Sequence, residues 1–232
     1  MSNKKSKRYE KAAALVEEGK TYSLEDAVAL LKKLPAPKFD GTVTLSANLG
    51  VDPRKSDQMV RGSVSLPHGT GKNVKVIVFA SGDSAKAATD AGADEVGFED
   101  LIKKVQEGYT DFDAAIATPD AMTEVRKIAR VLGPRGLMPN PKTGTVTDDT
   151  ATAVNAVKAG RIDYKVDKSS NIAAACGKFS FSEAQILENT SSLIDSIVKA
   201  KPASAKGNYI KSLTVSASML PGIALDLSPY TA

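Results

Sequence analysis

Val74-Lys75-Val76-Ile77-Val78-Phe79 is nearly continuous in apolar side chains, and the small-residue stretch from Ser84 to Ala91 follows it. A strand that is apolar on both faces must be covered on both, so the pair opens a βα unit of a layered α/β fold. A second unit runs through Ala114-Ala115-Ile116-Ala117 into a helix predicted over Asp120 to Val131, and a further helix is predicted over Asp148 to Ala159. Turn-forming passages, Pro67-His68-Gly69-Thr70-Gly71 before and Ala159-Gly160 after, bracket this middle part.

Outward from it the period changes to two. From Thr42 to Asn48, Val43, Leu45 and Ala47 point one way and Thr42, Thr44, Ser46 and Asn48 the other, the pattern of a half-buried strand. Ser63-Val64-Ser65-Leu66 and Ser212 to Ser218 repeat it, and the three segments are expected side by side in one antiparallel sheet. Ser23-Leu24-Glu25-Asp26 and Ser182 with Gln185 have capping-box spacing ahead of apolar residues at helical intervals; Pro35 and Pro37 stop the first of these helices and Pro202 follows the second. The basic tail Lys4-Lys5-Ser6-Lys7-Arg8 leads into a weakly amphipathic helix. Strands of one kind on both sides of a different middle imply an insertion. The expected fold is α/β with two domains: a discontinuous one, residues 1–67 and 160–232, and an inserted one, residues 68–159. Short connectors near 67 and 160 suggest hinge motion.

The 232 residues, 42% hydrophobic and 25% charged, suffice for one large core or two modest ones. One cysteine, Cys176, allows neither an internal disulfide nor a multi-thiolate metal site, and it reads as a small buried hydrophobe. No apolar run approaches the ~20 residues of a membrane span, and Met1 to Lys11 lack the apolar region of a secretory signal, so a cytoplasmic location is expected. The net charge is +4, but nine acids against three lysines between Asp83 and Asp113 make that stretch −6 and leave about +10 elsewhere. Such an excess either solubilises or attracts a polyanion.

Catalytic patterns fail when tested. His68-Gly69-Thr70-Gly71-Lys72-Asn73 ends like a phosphate-binding loop, yet Leu66 stands where that loop needs glycine and Asn73 where it needs the hydroxyl that binds Mg²⁺. Lys142-Thr143-Gly144 matches one element of the penicillin-binding enzymes, but Ser196 to Lys199 follows it rather than precedes it and no Ser-Asp-Asn exists. A single histidine and a single cysteine leave little room for acid–base or thiol chemistry; His68 reads as a loop residue bonded locally. The expectation is no catalytic residue, no metal, no cofactor and no enzyme.

Gly133-Pro134-Arg135-Gly136-Leu137-Met138-Pro139-Asn140-Pro141-Lys142-Thr143-Gly144-Thr145-Val146 holds three prolines and three glycines after a helix, a loop of fixed shape that serves either as connector or as contact. It resembles the signature of the bacterial L-one family of large ribosomal subunit proteins. Lys38-Phe39-Asp40, the run from Leu49 to Gln58, Leu66 to Lys72 and Lys199 to Gly207 match as well, in order, over nearly the whole chain.

The resemblance implies a split βαβ first domain built from both termini and an inserted Rossmann-like, three-layer second domain that binds no nucleotide. It implies a protein, monomeric off the ribosome, that holds the stalk of large-subunit (23S) rRNA, assists movement of exit-site tRNA, and represses its own message by binding the mRNA leader. By motif match the RNA contacts fall on Lys38, Phe39 and Thr42, on Asp167, Lys168 and Ser169, and on Ser218 and Met219. Hydroxyls on polar strand faces suit phosphates and 2′-OH groups, and Phe39 and Met219 suit the apolar side of a ribose or base. In the acidic second domain, Arg126, Lys127, Arg130, Arg135 and Lys142 are the candidates for a secondary contact with rRNA or tRNA. Alternatives are a non-ribosomal repressor or RNA chaperone using the same surface and, more distantly, a nucleotide-dependent enzyme. The chain departs from the family pattern at Leu220, where glycine is usual after the methionine, with Gly222 two residues on. It departs also at Ser169-Ser170 for Thr-Gly, at Ala173 for histidine and at Gly41 for an acid. These departures bear on local contact geometry.

Overall fold

The computed structural model describes residues 6–17 and 19–230, with Ser56 and Lys142 described by their backbone alone. Lys4 and Lys5 of the basic tail lie outside the described residues. In chain order the elements are α1 (Lys7–Ala13), α2 (Leu24–Lys33), β1 (Thr42–Leu49), β2 (Arg61–Ser65), β3 (Val76–Phe79), α3 (Asp83–Asp90), β4 (Glu95–Gly97), α4 (Glu99–Gln106) and β5 (Ala114–Ala117). There follow α5 (Met122–Val125), α6 (Ala129–Leu132), α7 (Thr150–Lys158), β6 (Arg161–Lys165), β7 (Asn171–Lys178), α8 (Glu183–Lys199), β8 (Ile210–Ala217) and β9 (Ile223–Ala224). The chain is mixed α/β and divides into two compact units, one formed up to Gly71 and from Ile162 onward, the other by Lys72–Arg161.

In the second unit every residue of β3 is buried, as its unbroken apolar run requires. Alternation then sorts the strand between two cores. Ile77 and Phe79 pack with Leu101, Ile102 and Val105 of α4 and with Val125, Ile128 and Leu132, whereas Val76 and Val78 pack with Ala88 of α3 and Ala153, Val154 and Val157 of α7. The sheet between these layers is parallel, in the order β4-β3-β5. The helix predicted over Asp120 to Val131 is interrupted: α5 gives way to a 3₁₀ turn, Arg126–Ile128, before α6. Thr123, Val125, Ile128 and Val131 are β-branched and α5 lacks a side-chain cap, so helical preference is low there. The Gly133–Val146 loop lies wholly within this unit, so it is not a connector between units. Its Thr143 is fully buried, Thr143 Oγ1 and Thr145 Oγ1 both donate to the Asn140 carbonyl, and Leu137 and Met138 pack on the core.

The first unit is built on an antiparallel sheet ordered β7-β1-β8-β9. Along β1, Val43, Leu45, Ala47 and Leu49 are buried and Thr42, Thr44, Ser46 and Asn48 are not. The buried face packs with Val28 and Leu31 of α2 and with Ile186, Leu193, Ile194 and Ile197 of α8. The α8 cap is reciprocal: the Gln185 N–H donates to Ser182 Oγ at 3.3 Å and the Ser182 N–H to Gln185 Oε1 at 3.0 Å. At α2 the Asp26 N–H donates to Ser23 Oγ, but Asp26 Oδ2 accepts from the Ser23 hydroxyl rather than from its backbone.

One pairing differs from expectation. The segment containing Ser63 to Ser65 is β2, and it pairs with β6 in a separate two-stranded sheet; the neighbour of β1 on that side is β7. His68 behaves as a local loop residue, its Nε2 lying 2.6 Å from Glu188 Oε2. Its N–H donates to Oδ1 of the fully buried Asn189, whose Nδ2 donates to the carbonyls of Gly69 and Cys176.

Candidate nucleic-acid interface

The pairing of Val43 with Ala217 sets the residues entering β1 beside those leaving β8. Lys38, Phe39, Thr42, Ser218 and Met219 thereby gather at one end of the sheet. Ser218 prolongs the ladder, since its N–H donates to the Thr42 carbonyl and its Oγ accepts the Thr42 N–H, each at 3.1 Å. Thr42 Oγ1 accepts from Lys178 Nζ at 3.3 Å. Phe39 is 52% exposed and Met219 68%, two of only four large apolar side chains so exposed among the described residues. Two such side chains at one end of a sheet, next to a lysine, offer a partner apolar cover and positive charge together.

Met219 has φ +59, a left-handed conformation that a residue with a Cβ adopts only when its surroundings hold it there. Here the Leu220 N–H donates to the Ala217 carbonyl and Leu220 itself is buried. Arg8 of α1 donates to the Met219 carbonyl at 3.1 Å and to the Pro35 carbonyl at 3.2 Å, stapling the turn to the entry of β1. Leu220, where the family pattern has glycine, therefore points inward and leaves the outer surface clear. Sequence reading missed Arg8, which carries no signal beyond membership of a basic segment.

Asp167, Lys168 and Ser169 do not join this cluster. Asn48 pairs with Asn171, which puts their turn at the far end of β1 from Thr42, about 20 Å away at ~3.3 Å per residue. The turn is organised by Asp167, whose Oδ1 accepts the N–H groups of Asn171 at 2.8 Å and Ser169 at 2.7 Å; these bonds hold its carboxyl below the usual range. Lys168 and Ser169 are exposed at its tip. Ser170, in place of the family's glycine, has φ +64 and anchors itself by donating from Oγ to the Val51 carbonyl at 2.8 Å.

Between the two ends runs the polar strand face whose hydroxyls the sequence assigns to phosphates and 2′-OH groups, although Thr44, Ser46, Thr214 and Ser216 are not among the residues that the motif match names. Thr44 lies between Ala175 and Ser216, Ser46 between Ala173 and Thr214, and Asn48 between Asn171 and Ser212. Asn48 Nδ2 donates to Asn171 Oδ1 at 2.7 Å. No acid occurs in β1, β7 or β8, and the two alanines leave the hydroxyls unobstructed. Such a surface offers donors and acceptors for phosphate and 2′-OH groups without charge repulsion.

In the second unit, Arg126, Lys127 and Arg130 sit on the helical run and Arg135 on the loop that follows it, and all four are exposed. Lys127 pairs with Glu124 at 2.6 Å, and Arg135 donates to Thr110 Oγ1. The side chain of Lys142 lies outside the described residues. Cys176 is fully buried, and burial pushes its thiol up to about 11.

The family model described as the ribosomal protein L1p/L10e family matches residues 30–221. The large ribosomal subunit protein uL1 of Lactobacillus delbrueckii subsp. bulgaricus is 57% identical over 223 residues, covering 96% of each chain. That of Solibacter usitatus is 54% identical over 232 residues, covering 100% of this chain and 98% of its own. That of Salinispora arenicola is 54% identical over 221 residues, covering 95% and 93%. A family match over most of the chain, with relatives of the same length at more than half identity, leaves one placement: the chain belongs to the ribosomal protein L1p/L10e family, a family of structural proteins and not of enzymes.

Proposed function

We propose that this chain is a cytoplasmic, ribosome-bound structural protein that holds the stalk region of large-subunit rRNA with the polar face of its first unit. The observation that carries this reading is the acid-free hydroxyl surface of β1 and β8, closed at one end by exposed Phe39 and Met219 and at the other by the Lys168-Ser169 turn. Lys38 and Lys168 take phosphates; Thr42, Thr44, Ser46, Thr214 and Ser216 take phosphate and 2′-OH oxygens; Phe39 and Met219 cover the apolar side of a ribose or base. Asp167 and Ser218 act mainly as shapers, since their polar atoms already bond the backbone of the turn and of Thr42. The same face binds the leader of the chain's own mRNA and represses it. The exposed Arg126, Lys127, Arg130 and Arg135 of the second unit supply a secondary contact to rRNA or exit-site tRNA.

Binding to an isolated rRNA stalk fragment over a salt series tests the reading. Specific affinity on the order of 10⁻⁸ M or tighter, persisting against competitor RNA, is expected. Equal affinity for an unrelated hairpin of the same length would overturn it.

A further inference from the structure

The hydroxyl face does not stop at Asn48. Pairing between β1 and β8 slips there, with Asn48 opposite Ser212 but Leu49 opposite Ile210, so Lys211 is an extra residue in a β-bulge. A bulge re-aims the side chain it inserts, and both Lys211 and Ser212 are exposed. Lys211 borders a cleft of about 500 Å³ whose walls are the loop after β1 and the loop before β8, and Lys55 and Lys206 line it as well. All three lysines are exposed, and among the described residues none of them makes a salt bridge.

The cleft is held in shape by its own bonds. Gln58 spans the two walls, its Oε1 accepting the Asp52 N–H at 2.8 Å and its Nε2 donating to the Ser204 carbonyl at 3.4 Å. Gly50 sits where the walls meet: its N–H donates to the Tyr209 carbonyl at 2.7 Å, and a Cβ there would lie 2.2 Å from the Asn208 carbonyl oxygen. Asp52, the one acid lining the cleft, has its Oδ1 engaged by the Arg54 N–H at 3.1 Å. Three unpaired ammonium groups around a preformed cleft recognise a phosphodiester.

We propose that this cleft is a phosphate-binding subsite for RNA backbone. It lengthens the footprint from the Phe39–Met219 end, along the strand face, to Lys55, Lys206 and Lys211. The proposal rests on the strand face being the RNA interface. Its contribution is non-specific: lysines reading phosphates add affinity and salt dependence but no sequence preference.

The test compares the full chain with the triple variant Lys55→Ala, Lys206→Ala, Lys211→Ala in binding to the rRNA stalk fragment and to an unrelated hairpin from low to moderate salt. The log–log salt slope should become shallower by about 2 in magnitude, at ~0.7–0.9 for each phosphate that the variant no longer neutralises. Affinity near physiological salt should fall roughly tenfold or more, by the same factor for both RNAs. A control removing Lys86, Lys103 and Lys104 of α3 and α4 should leave the slope unchanged. A slope in the triple variant equal to that of the parent overturns the proposal. Phe39→Ala, measured alongside, separates the two readings. If it weakens binding while the triple variant does not, only the cleft is refuted; if neither does, the strand face falls as well.

Discussion

Phe39→Ala is the most informative single substitution. The ring is 52% exposed, so about half of a phenylalanine's ~200 Å² awaits cover by a partner. At ~25 cal/mol per Å² that half corresponds to about 2.5 kcal/mol, or about 2 kcal/mol after allowing for the methyl that alanine keeps. Stacking on a base gives a similar figure, ~1–3 kcal/mol. Affinity for the stalk fragment should therefore fall roughly 30-fold, at 1.36 kcal/mol per factor of ten. Stability should scarcely move, because an exposed side chain outside the core contributes within about 0.5 kcal/mol. Calorimetric titration with the stalk fragment and urea unfolding of the free protein measure the two quantities. Full affinity in the variant refutes the assignment of this end of the sheet, and a large loss of stability refutes the premise that the ring waits for a partner.

Other consequences follow from particular interactions. Arg8→Ala removes both donors that staple Met219 to Pro35 and should weaken RNA binding several-fold in the same titration, although Arg8 is not itself assigned an RNA contact. Asn189→Ala leaves the buried Cys176 carbonyl and the part-buried His68 N–H and Gly69 carbonyl without their partner and should cost about 2 kcal/mol in urea unfolding, with faster proteolysis between Leu66 and Gly71. Cys176 is neutral in the fold up to about 11 against an ordinary value of 9.0, so its contribution to stability is present below 9.0 and is lost as pH rises toward 11. Cys176→Ala should flatten that alkaline decline, and the native thiol should resist alkylation until the protein unfolds. The Asp167 carboxyl, held below 3.8 by the Asn171 and Ser169 amides, stabilises its turn above that value and loses the effect as pH falls through its own lower value. The amide resonances of Ser169 and Asn171 should report this titration, and Asp167→Ala should abolish it.

What the sequence discloses depends on chemical contrast between faces. In β1 and β8, Val, Leu and Ala alternate with Thr and Ser, and the period of two is visible without coordinates. In β7, Asn171-Ile172-Ala173-Ala174-Ala175-Cys176-Gly177-Lys178, alanine occupies both faces, so buried Ala174 and exposed Ala173 look alike in the sequence and the strand leaves no pattern. With β7 hidden, the alternating segment at Ser63 to Ser65 is the one that sequence places beside β1. Helices α2 and α8 are legible from their capping serines, whereas the stretch after Asp120 has helical spacing but no cap and four β-branched residues, a weak preference that does not mark where the 3₁₀ turn interrupts it.

The candidate site is legible in the same uneven way. Motif resemblance brings out Phe39, Thr42 and Met219, and strand register unites them. It also brings out Asp167 to Ser169, but no one-dimensional pattern says that these sit at the opposite end of the sheet. The bulge that turns Lys211 outward and the reach of Arg8 to Met219 are products of register and of long-range bonding, and neither leaves a local mark.

Binding as proposed lays RNA along the polar face of β1, β7 and β8. Amide shift mapping of the full chain, with and without the rRNA stalk fragment, tests it most directly. Perturbations should run continuously from Phe39 and Met219 through Thr44, Ser46, Thr214 and Ser216 to Lys168 and Lys211, with α2 and α8 on the opposite face unmoved. Perturbations confined to Arg126–Arg135 and the rest of the second unit, with the strand face silent, would contradict it.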